Sequence, residues 1–409
     1  MMVFASFQRE VEIRMSDINN VVIVGSARTA IGDFGAAFKD IPPVELASCV
    51  IKHAINRSNI EAGDVEHVVL GNVIHTEPRD MYISRVASIE AGIAHSTPAL
   101  TVNRLCGSGL QAIISAIQLL MLGDVQTAVA GGAENMSRAG YLMPSVRWGK
   151  RMGDAEVIDM MTMALHDPFG HGHMGVTAEN VARQFKISRE QQDMFALESH
   201  KRAAQAIQNG FFDDQIVSIN LNKRDKKTEF KIDEHVRDNI TIENLEKLKS
   251  VFEKEGTVTA GNASSLNDGA AALVLMDEKL ANRKKLDPIV RVVSYGFSGV
   301  DPTIMGMGPV KAVKQALDRA KLSIEDLDVI ESNEAFASQA LAVSNELEFD
   351  PTKVNPNGGS IALGHPIGAS GAIITIKLIH EMKRIKGRYG LATMCIGGGQ
   401  GVALIVEAV

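Results

Sequence analysis

Residues 101–113 read TVNRLCGSGLQAI. The stretch passes from an apolar segment through glycines into a helical period of Leu110, Ile113, Ile114, Ile117, Leu120 and Met121, closed by Gly123. It predicts a strand over Ala99–Val102, a turn and a helix, with Cys106 at the junction. The plan recurs later in the chain. CGSG at 106–109 aligns with GASG at 368–371, and VEHVVLGN at 65–72 with LDVIESNE at 327–334, both offset by 262 residues. AVAGG from Ala128 faces MCIGGG from Met394 a few positions beyond that offset. A constant offset across two separate motifs points to duplication of one α/β unit, with chance matching as the alternative.

Strand and helix signals alternate elsewhere, which gives an α/β class. Strands are expected at Val21–Val24, Val68–Leu70, Thr127–Ala130 (stopped by Gly131-Gly132), Val329-Ile330, Leu391–Met394 and Val402–Val406. Helices are expected from Pro43 to about Ala54, through Val313, Leu317 and Ala320, and from Ser370 to Lys386 before Gly387. The stretch 138–262 is richer in Met, His and charge. It holds a helix capped by Ser188 with Gln191 in the capping box and closed by Gly210, and a basic loop or hairpin, NKRDKKTEFK. The expected organisation is an N-terminal extension at 1–20, a first half at 21–137 and 263–285, a loop domain at 138–262 and a second half at 286–409.

The 409 residues leave ample core for two or three domains. A net charge of −7 argues against nucleic-acid binding, though not against an anionic ligand on a local basic patch. Three cysteines argue against a disulfide framework and for a reducing cytoplasm. The uninterrupted apolar runs are too short to span a bilayer. No export signal is read in residues 1–20, where Arg9, Glu10, Glu12, Arg14 and Asp17 leave no apolar core.

Three junctions carry the chemistry. Cys106 lies at a helix start, where free amides and the helix dipole stabilise a thiolate. Cys395 ends a strand before Gly397, Gly398 and Gly399, whose amides can hold an anion. His365 sits in Gly364-His365-Pro366, a stiff turn suited to an oriented base. Taken singly, each has a plainer reading: buried cysteines and a surface histidine. Asn333 reads either as a ligand-holding amide or as a helix N-cap. Gly107–Ala112 fits the dinucleotide pattern G-x-G-x-x-A, but falls after several elements and lacks a well-placed acid. His166, His171 and His173 are histidine-rich without a completing ligand, so no metal is expected and a hydrogen-bonding role toward a ligand is preferred.

Together VNRLCGSGLQAI, HMGVTAENVA, GTVTAGNASSLNDGAA, NEAFA, GGSIALGHPIGASG and MCIGGGQG resemble the thiolase family, in family order, over residues 20 to 409. GNVIHTEPRDMYISR and ALHDPF resemble the bacterial β-ketothiolases. The resemblance implies two similar α/β halves in five layers, α-β-α-β-α, with an inserted loop domain. It implies a cytoplasmic acyltransferase of fatty acid metabolism, a homotetramer built as a dimer of dimers, that uses acetyl-CoA, acyl-CoA and CoA as substrates and no cofactor. In that reading Cys106 is the nucleophile, His365 its activator and Cys395 the acid/base on the second acyl-CoA. Asn333 positions an oxyanion-hole water, and the amides of Cys106 and Gly397 form the other oxyanion hole. His173, Ser264 and Met174 line the pantetheine and acyl pocket, and Arg237 lies near the nucleotide end of CoA, with Lys223, Arg224, Lys226 and Lys227 as further phosphate contacts or a solvated loop. Ser265 stands where the family has glycine, and Ser250 where it has proline. The rivals are a decarboxylating ketoacyl synthase, which would replace Cys395 by histidine, a Cys–His hydrolase, which needs no second thiol, and a non-catalytic thiolase-like acyl- or lipid-binding protein. A redox dithiol pair lacks C-x-x-C.

Overall fold

The computed structural model describes residues 19–223 and 226–409; the side chains at 222–227 lie outside that description. Nearly all of the expected N-terminal extension, together with Arg224 and the side chains of Lys223, Lys226 and Lys227, therefore falls outside the described residues. The strands that build the centre are β1 (Val21–Thr29), β2 (His67–Gly71), β3 (Ala99–Val102), β4 (Thr127–Asn135), β5 (Asn267–Asp277), β6 (Val290–Gly299), β7 (Val329–Ser332), β8 (Tyr389–Ile396) and β9 (Gln400–Ala408). They run in the order β7-β8-β9-β6-β1-β5-β4-β2-β3. The two halves of this path are joined at a narrow seam between β6 and β1, where Val22 and Ile23 oppose Arg291 and Val290. Each side of the seam is a mixed sheet: β2 is parallel to β3 and β4, and β7 to β8, while β5, β6, β8 and β9 pair antiparallel.

The main helices are α1 (Pro43–Arg57), α2 (Ser108–Leu122), α3 (Met174–Gln184), α4 (Arg189–Gln208), α5 (Gly308–Ala320), α6 (Ala337–Glu346) and α7 (Ile367–Ile385). α1 covers β1 and β5 on one outer face, α5 covers β6 and β9 on the other, and α2 and α7 fill the space between the sheets. This is the α-β-α-β-α stack. Its strands are buried on both faces, so their residues alternate between two cores. Ala271, Leu273 and Leu275 of β5 point into the central core, while Ala270, Ala272, Val274 and Met276 meet α1. In β9, Val402, Leu404 and Val406 point inward and Ala403 and Ile405 meet α5. The window Leu105–Leu122, which contains α2, is long and apolar enough by length and composition to cross a membrane, although Ser108, Gln111, Ser115 and Gln118 interrupt it. Its apolarity instead serves the central layer, where Ile113, Ile114 and Ile117 are fully buried.

The duplication is closer than the motifs alone indicated. β4 begins at Thr127 and β8 at Tyr389, the same separation as β2 and β7, so AVAGG has no shifted register. β4 also runs through Gly131-Gly132 instead of stopping there. A Cβ on Gly131 would lie 2.0 Å from Ala271 O and one on Gly132 2.1 Å from Gly368 O. The glycines admit the neighbouring backbone rather than break the strand. α7 starts at Ile367, before Ser370, and Lys386 rather than Gly387 takes the left-handed cap with φ 57°. Ser188 and Gln191 do form a capping box on α4, and NKRDKKTEFK contributes to a hairpin of Ile219–Lys223 with Lys226–Phe230. Between Asn135 and Asn267 the chain runs largely outside the sheet, touching it at Ile216–Val217 parallel to β1, and packs α3 and α4 against α6.

Gly132→Ala tests the central contact between β4 and α7. An added methyl in so close a contact is expected to destabilise the protein by about 1–3 kcal/mol in urea unfolding; an unchanged midpoint would show that the layers are not in contact there.

Candidate active site

The turn before α2 holds Cys106 in a strained backbone. Leu105 takes φ 46°, a left-handed conformation unusual for a bulky residue. Local hydrogen bonds hold it there: Asn103 Oδ1 accepts Leu105 N–H at 3.0 Å, and Ser108 Oγ accepts Arg104 N–H at 2.8 Å and donates to Leu105 O at 2.6 Å. The Cys106 sulfur faces the backbone N–H groups of Gly397 and of Cys106 itself. Burial nevertheless pushes its thiol up to about 11, so at rest it is protonated. Cys395, at the end of β8, is 1% exposed, and burial, followed by the neighbouring Cys106, pushes its thiol up as well.

His365 is fixed from two sides. Its N–H donates to Asn267 Oδ1 at 2.8 Å, and its Nδ1 meets Ser370 Oγ at 2.6 Å. The Ser370 hydroxyl donates to Pro366 O at 2.9 Å, which leaves its lone pair for an Nδ1–H. Nε2 is then the free, basic nitrogen. Burial lowers the imidazole to about 4, so it is neutral at physiological pH. Asn333 is not a helix cap. Its Nδ2 lies 3.4 Å from His365 Nε2, and its Oδ1 accepts from the Ser360 hydroxyl.

Cys106, His365, Cys395 and Gly397 line one largely apolar cavity of about 440 Å³ together with His173, Met174 and Ser264, while Asn333 lines a small separate pocket with Ser360 and Ser370. His173 Nδ1 accepts the Gly175 N–H at 3.0 Å, so its remaining proton lies on Nε2. Its ring stacks on Phe252 at 4.7 Å, and His166 meets it edge-on at 5.3 Å. The histidine-rich run is thus used for capping and stacking. Ser264 Oγ donates to Ala335 O at 3.0 Å. Arg237 is not in this cavity. It lines a neighbouring one of about 420 Å³ with His200 and His235, and the two cavities share Ala260. The dinucleotide-like glycines are occupied by packing, since a Cβ on Gly107 would lie 2.5 Å from Ile396 Cδ1.

Residues 21–279 match the thiolase N-terminal domain and residues 286–408 the thiolase C-terminal domain. The chain belongs to the thiolase family. It is 60% identical to the β-ketothiolase BktB of Cupriavidus necator, over 95% of this chain and 99% of that protein. It is 49% identical to the acetyl-CoA acetyltransferase of the same organism, over 95% of this chain and 100% of that one. Among solved structures, the Bacillus anthracis acetyl-CoA acetyltransferase superposes with a TM-score of 0.94 at 48% identity, covering 96% of this chain and 99% of that chain. The human mitochondrial 3-ketoacyl-CoA thiolase in complex with CoA superposes at 0.93 and 41% identity, covering 96% of this chain and 98% of that chain.

In this thiolase the two departures from the family pattern have structural accounts. Ser265 Oγ donates to Asn267 Oδ1 at 2.8 Å, the oxygen that also receives His365 N–H. Ser250 Oγ donates to Lys254 O at 3.3 Å and Ser250 bridges to Thr259, a local turn that needs no proline. Sequence reasoning missed Asn267, Ser370 and the strained Leu105. Ser370 lies five residues beyond His365, in the first turn of α7, a proximity in sequence that offered a signal; the bond from Asn267 crosses to another segment and offered none.

His365 is expected to remain neutral down to about pH 4. Histidine-selective ¹³C NMR, assigned with His365→Gln, would show this, and a midpoint near the ordinary 6.5 would mean that the ring faces water.

Proposed function

We propose that this chain is an acyl-CoA:acetyl-CoA C-acyltransferase, a β-ketothiolase that makes or cleaves short-chain 3-oxoacyl-CoA. The observation that carries the reading is one cavity wall holding two thiols, a neutral imidazole and two backbone donors aimed at one of the sulfurs. A simple hydrolase has no use for the second thiol.

The chemistry follows from the neutral resting groups. His365 Nε2 takes the Cys106 proton as the sulfur attacks the thioester carbonyl. The oxyanion forms beside the Cys106 and Gly397 amides, CoA leaves as a thiol by recovering the proton from His365, and an acyl-enzyme remains. In condensation Cys395, its own proton passed to His365 Nε2, takes an α-proton from the second acetyl-CoA. The enolate oxygen is held by Asn333 and His365 or by a water between them. Its carbon then displaces the Cys106 sulfur, which takes the proton back from His365, giving 3-oxoacyl-CoA; thiolysis is the reverse. Burial suits Cys395 to this step, because a thiolate destabilised by desolvation is a stronger base, as a weakly acidic carbon requires. His173 offers an Nε2–H to the thioester or pantetheine, Ser264 and Met174 line its path, and Arg237 in the adjoining cavity is assigned to the nucleotide end. Beside Cys106, Met136, Met161, Leu165 and Leu266 form an apolar wall with room beyond an acetyl group.

Cys106→Ala is expected to abolish acyl-enzyme formation from labelled acetyl-CoA. Cys395→Ala should still become acylated, while condensation falls by roughly 10²–10⁴-fold, the usual loss of a general acid/base. Equal loss of both steps in Cys395→Ala would overturn its role. Thiolysis of 3-oxoacyl-CoAs of increasing length is expected to extend beyond acetoacetyl-CoA; no turnover of any of them would remove the thiolase assignment of activity.

A further inference from the structure

Glu134, near the end of β4, is fully buried, and among the described residues it has no cationic partner. A buried carboxylate without a cation is costly, and such groups persist where they do something specific. Its surroundings are all donors. Oε2 accepts Val73 N–H at 3.1 Å and Gly368 N–H at 2.9 Å; Oε1 accepts Ile74 N–H at 3.1 Å and Asn72 Nδ2 at 3.3 Å. Three of these bonds come from the first half of the duplicated fold, and the fourth, from Gly368, joins it to the second.

One arm reaches the base. Gly368 lies in the first turn of α7, three residues after His365, where N–H groups and the helix dipole favour a negative charge. The other arm reaches the nucleophile. Val73 O accepts from Asn103 Nδ2 at 3.4 Å, and Asn103 Oδ1 holds Leu105, the strained residue before Cys106. Ile74, Ile367 and Cys106 then close over the same apolar cluster. A Cβ on Gly368 would lie 2.4 Å from Glu134 Oε2, so the carboxylate occupies the space directly beneath the helix start.

Resting on the thiolase reading above, we propose that Glu134 is a positioning residue: its carboxylate sets the spacing of the Cys106 turn against the His365 turn and places a negative charge beside the Cys106 sulfur. Burial pulls the Glu134 carboxyl up to about 8, but its two oxygens meet four N–H donors and, among the described residues, no acceptor for a carboxylic O–H, which holds it as the carboxylate; its charge opposes thiolate formation at rest. The nucleophile is then released chiefly by His365 when a thioester is bound. The other titratable groups around the sulfur are Cys395 and His365. Asp80 faces Glu134, and the Arg104 guanidinium is turned onto the Phe297 ring, 4.6 Å away.

The test uses the full chain with Glu134→Gln and Glu134→Asp, read by thiolysis kinetics and by the pH dependence of Cys106 alkylation with iodoacetamide. Glu134→Gln keeps the shape and removes the charge. It is expected to lower kcat roughly tenfold to a hundredfold with little change in KM, as a small misplacement of reacting groups does. The alkylation inflection is expected to move down by about one pH unit, as the removal of a nearby like charge does. Glu134→Asp keeps the charge, so its inflection should stay near the wild-type position while kcat falls in between. If Glu134→Gln does not fold, Glu134→Asp decides: wild-type kcat would overturn the positioning role. An unmoved inflection in folded Glu134→Gln, with kcat lost only in proportion to folded protein, would reduce Glu134 to a structural residue and overturn the proposal. Alkylation needs no acyl transfer, so a wild-type chain without thiolysis would sink the thiolase reading while the alkylation arm still judged Glu134.

Discussion

Two helix starts touch backbone to backbone at the centre of this molecule, and the site depends on that contact. A Cβ on Gly371 of α7 would lie 2.2 Å from Leu110 N, and one on Gly109 of α2 would lie 2.9 Å from Ala372 N. Only residues without a side chain permit this approach. Because Cys106 and His365 lie just before these two starts, the closeness of the helices brings the sulfur and the imidazole to one cavity. The outer helices α1 and α5 add burial, but they do not set this distance.

The central contact also fixes the electrostatics. Burial raises both thiols and lowers the imidazole, so all three groups are neutral at rest. Charge is then created only when a thioester enters, within reach of amides already in place. The carboxylate of Glu134 is the exception, a buried acceptor compensated by N–H groups instead of a cation.

Duplication explains why the functional groups are unlike each other. At the separation that relates β2 to β7, Gly71 corresponds to Asn333, Cys106 to Gly368, and Ala133 to Cys395. The first copy supplies a sulfur at its helix start. The second supplies a sulfur and an amide at its strand ends. Facing the copies across one central layer lets each contribute what the other lacks, at the carboxyl ends of parallel strands where α/β sheets commonly bind ligands.

The sequence by itself determined the α/β class, the duplicated unit and the three glycine-bordered junctions, because these are local: apolar period, turn chemistry and motif offset are all read within short windows. It misread the end of β4 at Gly131-Gly132, since a glycine that admits a neighbouring backbone looks the same in sequence as one that breaks a strand. Only the tertiary structure decided that Asn333 faces His365, that Asn267 and Ser370 orient that ring, that Arg237 lies in an adjoining cavity and that Glu134 bridges the halves. Those contacts join residues far apart in the chain or select one nitrogen of a ring. Such choices follow from how the layers pack, which no short window of sequence contains.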